Sequence, residues 1–230
     1  MKNQAVPIRP AATIALLKDS ELGPQILMQQ RNPEAVFVGG AWVFPGGKLD
    51  PHDEELAWLD YCDLQLESAN TLLEVEHAGH AYWVAAIREL VEEAGILLVE
   101  GATSELAVEA QHFLQQSPTG FLDFCTRNEL RLQTDKLKYL SRWITPPGSP
   151  KRYDTRFFLC PWPEGQEPTQ DDHEAVNTGW FTAREALHRY ECGDWQLVLP
   201  TIMTLRHLVK YQSVQQVLEN EGQTTQLKTR

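Results

Sequence analysis

The stretch AAIRELVEEAGILL, Ala85 to Leu98, decides how this chain is read. Glu89, Glu92 and Glu93 crowd beside Arg88 in a run otherwise rich in Ala, Leu, Ile and Val. At about 100° per residue on a helix, Trp83, Ile87, Leu90 and Ala94 form one stripe and the three glutamates gather on another face. Like charges at this spacing repel by roughly a few tenths of a kcal/mol per pair in water, and by more in a cleft of lower dielectric. Two arrangements offset that repulsion. One is a solvated helix face; the other is a divalent cation held by the carboxylates, since hard ions such as Mg²⁺ take carboxylate oxygens. The helix is expected from about His80 to Ala94, with Gly95 as the residue just past its end.

Working outward, ATIALLKD and QILMQQR are short apolar runs separated by the turn signal SELGP, which predicts a hairpin. GGAWVFPGGKLDP then reads as a short strand entering a tight glycine loop whose backbone can approach a ligand. From Asp53 to about Val75, leucines among acids predict one or two helices. Downstream of Gly95, ILLV is expected to resume as a strand, and Ser104 to Asn128 to be helical with a break near SPTG. KLKYLSRWITP and RYDTRFFLCPW flank the loop PPGSPK and are expected to pair; HEAVNTGWF is a further strand, followed by a short helix in AREALHRY. LPTIMTLRHLVKYQSVQQVL reads as one long amphipathic helix whose stripe (Leu205, Leu208, Val209, Val214) suits either core or a homodimer surface. A polar tail from about residue 219 is expected to fray. Irregular alternation of strands and helices favours a mixed sheet covered by helices, in one domain spanning residues 1–230.

Twenty basic against 32 acidic residues give a net charge of −12, which argues against binding nucleic acid or an anionic membrane surface. A phosphorylated small molecule remains compatible if divalent cations lie between it and the protein. Cys62, Cys125, Cys160 and Cys192 are far apart and form no CxxC pair, so they read as reduced thiols. No signal peptide and no membrane-spanning run is expected, and a cytoplasmic enzyme is the default.

RELVEEAGI read with FPGGKLDPHD closely resembles the signature of the Nudix hydrolase family. Gly47 takes the first glycine position, Asp53 stands where the family usually has Glu, and Arg88, Glu89, Leu90, Glu92, Glu93, Gly95 and Ile96 fill the rest in order. The departure is the spacer: here residues 54 to 87 interrupt a motif that is normally compact, with the insertion placed at about 54–78. The split motif, taken with LMQQRNPEAVFVGGAWVFPGGKLDPHD and SRWITPPGSPKRYDTRFF, is similar to the branch of that family containing coenzyme A diphosphatases. The resemblance implies an α/β/α sandwich with a mixed β-sheet and extra helices from the insertion. It implies Mg²⁺- or Mn²⁺-dependent hydrolysis of a nucleotide-linked diphosphate, with coenzyme A or an acyl-coenzyme A as the leading substrate. ADP-ribose or another nucleoside diphosphate derivative is the alternative, and a nucleotide-sensing domain without hydrolysis is a third reading.

Carried onto this sequence, the resemblance makes Glu89, Glu92 and Glu93 metal ligands with the Gly47 carbonyl, and gives Arg88 a carboxylate to pair with. Glu174 is then a candidate metal ligand or general base, weighed against a plain surface acid beside Asp171 and Asp172. Arg31 and Arg156, in strand-like runs, are candidates for binding substrate phosphates by bidentate contacts, weighed against structural ion pairs. His77 and His80 read better as loop or helix-start residues than as a metal pair. Trp42, Trp83, Trp143 and Trp180 read better as core than as stacking platforms for a base.

Overall fold

The computed structural model describes residues 6–35, 37–169 and 175–221. Its centre is β1 (Ile8–Lys18), a near-continuous apolar run of the kind that buries both faces. Ala12, Ile14 and Leu16 point to one side of the sheet, and Ala15 and Leu17 to the other. Each side carries its own core. The first holds the helices α1 (Leu66–Leu73), α2 (Ala81–Ala94), α3 (Ser104–Gln116) and α4 (Phe121–Arg127). The second holds α5 (Ala183–Glu191), α6 (Leu199–Leu208) and α7 (Val214–Glu221). The architecture is an α/β/α sandwich around a mixed sheet.

The sheet has a fork in it. After the β1 turn, β2 (Gln25–Arg31) runs back antiparallel, but the two strands pair only at Leu17–Ile26 and Lys18–Gln25. Beyond that point β2 leans on β3 (Ala41–Val43), while β4 (Gly46–Lys48) takes up the freed edge of β1, with Gly46 opposite Thr13 and Gly47 opposite Ala12. The other edge of β1 is filled in parallel by β6 (Arg152–Pro161), which pairs with β5 (Lys138–Ile144) as the sequence predicts. β7 (Ala175–Thr182) pairs with β2, and the short β8 (Gln196–Leu197) closes the far edge on β3. Glycines suit the fork. A side chain at Gly46 would strike the Ala12 carbonyl and the Thr13 backbone.

Helix α2 lies across this fork, packed on β1 and β4. Every residue of it except Glu92 is buried, so it is a core helix and not the half-exposed one its charges suggested. It ends where expected: Gly95 takes the left-handed conformation (φ 61°) and its N–H reaches back to the Val91 carbonyl.

From Pro51 to α2 the chain forms two short 3₁₀ turns, Pro51–Glu54, which carries Asp53, and Leu56–Tyr61, and then α1. Trp58 of this segment is buried against Phe121 of α4, with ring centroids 5.2 Å apart.

Two expectations are corrected. ILLV (Ile96–Val99) forms no strand beyond an isolated bridge from Val99 to Leu132, although all four residues are buried. The side-chain amide of Gln166 substitutes for a partner strand, donating to the Leu97 carbonyl (2.9 Å) and accepting from its N–H (2.8 Å). The long last helix is broken at residues 209–213. Asp19, from the β1–β2 turn, accepts the Val214 N–H (2.8 Å) and starts α7 afresh, while Glu221 accepts from Tyr211 Oη and pairs with His207. The stripe offered for core or dimer is core, with Leu205, Leu208 and Val214 buried in the second cluster. The tail lies outside the described residues after Glu221. None of the described helices is long and apolar enough to cross a membrane.

Gly95 gives a test of the α2 terminus. A Cβ there would land on Thr169 Oγ1, which is itself fixed by a 2.7 Å bond to Gln111, and the backbone conformation already disfavours an L side chain. Gly95→Ala is expected to cost more than about 1 kcal/mol in urea denaturation. An unchanged midpoint would show that this helix end tolerates a side chain.

Candidate active site

Where α2 crosses the fork, the Arg88 guanidinium makes five hydrogen bonds. Nε donates to Asp53 Oδ1 (3.0 Å), and Nη2 to Asp53 Oδ2 (2.9 Å) and the Lys48 carbonyl (3.1 Å). Nη1 donates to Glu89 Oε1 and Glu92 Oε2, both at 2.9 Å. That uses every N–H the group possesses. Burial alone would lower the Arg88 pKa, but the Asp53 hydrogen bonds and the charges of Glu89, Asp53 and Glu92 outweigh it and raise the pKa above the ordinary guanidinium value. The group is a fixed cation.

Asp53 is 1% exposed and is held in turn by the Asp50 N–H, which donates to its Oδ2 at 2.8 Å. The interrupted motif is therefore closed in space through Asp53. Glu93 turns to the glycine strand and accepts the Gly46 N–H (2.9 Å). Glu89 lies against Gly47 so closely that a Cβ there would come within 2.5 Å of Glu89 Oε2. The absent side chain is what lets carboxylate and backbone share this space.

These donors are all hard oxygens: three carboxylates on one helix and the backbone of Gly46–Gly47 beside them. That chemistry fits a divalent cation of the Mg²⁺ class. Among the described residues no three acidic, histidine or cysteine side chains close on a single point. Arg88 draws Glu89 and Glu92 to itself, and Glu93 faces Gly46.

The remaining candidates divide. Arg31 ends β2, two residues beyond Gln29, where the pairing with β7 shifts register, and its buried Nε has no partner. Arg156, expected at a phosphate, is instead 0% exposed. It pairs with Asp154, donates to the Leu73 carbonyl (3.0 Å) and lies 5.1 Å from the Tyr82 ring centroid, which corrects the binding role to a structural one. Glu174 lies outside the described residues. His77 is exposed, whereas His80 is buried at the start of α2 with its Nε2 3.3 Å from the Glu55 carbonyl, and burial pushes its pKa down. Trp42 and Trp83 are core, with Trp143 and Trp180 packed at its margin.

Sequence reasoning missed Gln29, which is 2% exposed and donates to the Glu93 carbonyl (2.8 Å), anchoring the helix to β2. Its signal was a polar residue following an apolar run on a strand. The Gly46 N–H and the Lys48 carbonyl were also missed, because backbone groups carry no sequence signal of their own.

A glycine strand set in a split sheet, beneath a buried helix whose arginine gathers the acids of an interrupted motif, defines a Nudix-type domain. The chain belongs to the Nudix family: a NUDIX domain model matches residues 7–125 and a NUDT19 Nudix domain model matches residues 69–208. It is similar to acyl-coenzyme A diphosphatase NUDT19 of Homo sapiens (29% identical, covering 84% of this chain and 62% of that protein). It is also similar to the protein of that name from Gallus gallus (28%, covering 85% and 64%). The chain thus spans less than two thirds of the length of these relatives. Among solved structures, a NUDIX hydrolase from Alicyclobacillus acidocaldarius superposes with a TM-score of 0.80 at 27% identity, covering 97% of this chain and 99% of that one. Nudix hydrolases generally require a divalent metal.

Arg88→Lys tests the guanidinium hub. Lysine keeps the charge but offers three donors from one point and no planar fork. The variant is expected to lose about 2 kcal/mol or more, because Asp53 stays buried without its bidentate partner. A wild-type unfolding midpoint would show that charge alone, and not fork geometry, holds the loop to the helix.

Proposed function

We propose that this protein is a divalent-metal-dependent hydrolase that cleaves the diphosphate of coenzyme A or an acyl-coenzyme A, using Mg²⁺ or Mn²⁺. The observation that carries the reading is the Arg88–Asp53 clamp, which holds Glu89 and Glu92 beside the Gly46–Gly47 backbone while Glu93 accepts the Gly46 N–H. The names of the human and chicken relatives supply the substrate class.

In this reading Glu89, Glu92, Glu93 and the Gly47 carbonyl would hold the cation. A bound divalent ion would neutralise the diphosphate and lower the pKa of a coordinated water. Arg88 positions two of the ligands and does not touch substrate. Arg31, with its unspent Nε, takes a phosphate oxygen at the end of β2. Hydrolysis adds one water across the anhydride: its oxygen bonds to one phosphorus while the bridging oxygen leaves with the other. Coenzyme A would give an adenine nucleotide and a phosphopantetheine product.

The test is a panel of coenzyme A, an acyl-coenzyme A and ADP-ribose with Mg²⁺ or Mn²⁺. Coenzyme A species are expected to turn over and chelation to abolish the activity. Glu93→Gln is expected to slow it about a hundredfold or more while leaving the fold intact. Efficient cleavage of ADP-ribose alone would move the substrate and keep the chemistry, whereas near-normal turnover by Glu93→Gln at saturating metal would remove Glu93 from the catalytic set.

A further inference from the structure

Beside the carboxylates the segment that interrupts the motif encloses a cleft of about 260 Å³ for which the diphosphate chemistry has no use. Val75 and Ala78 form one wall; Pro10 at the start of β1, Leu49 just after β4, and Tyr82 on α2 form the other. Connectivity places it next to the active site. Leu49 follows Lys48 and Glu54 follows Asp53, and both Lys48 and Asp53 are partners of Arg88. Tyr82 and Glu89 are close to two turns apart on α2, so they share a face about 10 Å apart along the axis.

The wall is built, not loose. Glu74 (φ 54°) and Ala78 (φ 53°) both adopt the left-handed conformation, which costs non-glycine residues on the order of 1 kcal/mol each. The turn between them is fastened by Asn70, whose side chain accepts the Gly79 N–H (2.7 Å) and whose carbonyl accepts the Val75 N–H (3.0 Å).

The lining also selects. Its body is apolar, and the titratable groups on it include Glu54 and Glu76, with His77 between the apolar wall residues Val75 and Ala78. Two carboxylates repel a phosphate and leave room for amide donors. We propose that this cleft binds the uncharged amide-and-thiol arm of the substrate, pantetheine with or without its acyl chain, and so makes the insertion a specificity element. The phosphorylated adenosine end is directed elsewhere. This inference rests on the coenzyme A reading, and the arm is long enough to follow α2 for the two turns required.

Val75→Trp fills the cleft from its partly exposed wall without touching the carboxylates. It is expected to raise KM for coenzyme A about tenfold or more with kcat little changed, and to leave ADP-ribose, which lacks such an arm, unaffected. Equal effects on both substrates, or none on coenzyme A, would overturn the assignment. Free pantetheine supplies a measurement that needs neither turnover nor a variant: saturation transfer from the metal-free wild-type protein to the pantetheine methyl groups is expected, and Val75→Trp should abolish it. Absence of transfer from the wild type overturns the cleft assignment even if coenzyme A is cleaved. Transfer without cleavage of any panel substrate leaves the cleft standing and removes the hydrolase reading.

Discussion

The guanidinium of Arg88 is the interaction on which the other parts of the site depend. It joins the strand carrying the glycines, the 3₁₀ turn carrying Asp53 and the helix carrying the glutamates, and it spends every donor in doing so. Its single positive charge faces Asp53, Glu89 and Glu92, with Glu93 one residue further on. Negative charge is therefore in excess at a largely buried place, where repulsion is poorly screened. A structure of this kind gains stability from any divalent cation that binds it folded and not unfolded. A bound divalent cation would offset the cost of holding the acids together.

The sheet supplies the room. Had β1 and β2 paired along their full length, no edge of β1 would be free for β4, and the Gly46 N–H would not face Glu93. The fork converts an ordinary hairpin into a slot, and Gln29 fixes α2 above it. The long spacer is compatible with this because Asp53 is clamped before the insertion begins, and a longer loop adds only slowly to closure entropy. The inserted segment is then tied down again by Trp58 on Phe121 and by Arg131, which donates to the Asp60 carbonyl and to Asp63.

What the sequence made legible was local or periodic. The three glutamates sit in one unbroken helix that Gly95 ends, and the two-faced core of β1 follows from its apolar run. Asp53 was visible only as a position in a motif, because its partner lies 35 residues away. Features that depended on a distant group were misread for a definite reason in each case. ILLV had the composition of a strand, but Gln166 took its polar groups. The last helix had no internal breaker, and the residue that divides it, Asp19, belongs to another part of the chain.

Arg156 shows where parity carries more information than residue type. On β6 it shares a face with Phe158 and Cys160, which belong to the core beneath α2, so its side chain enters the interior beside Tyr82. Across the strand pair it stands opposite Arg142, a juxtaposition of like charges that is unfavourable by itself. Asp154 resolves it by pairing with both arginines. With one N–H committed to the Leu73 carbonyl, Arg156 fastens the end of α1 to the sheet just before the strained turn that walls the cleft. An arginine that looked suited to grip a ligand instead fixes the backbone from which the cleft beside the carboxylates is made.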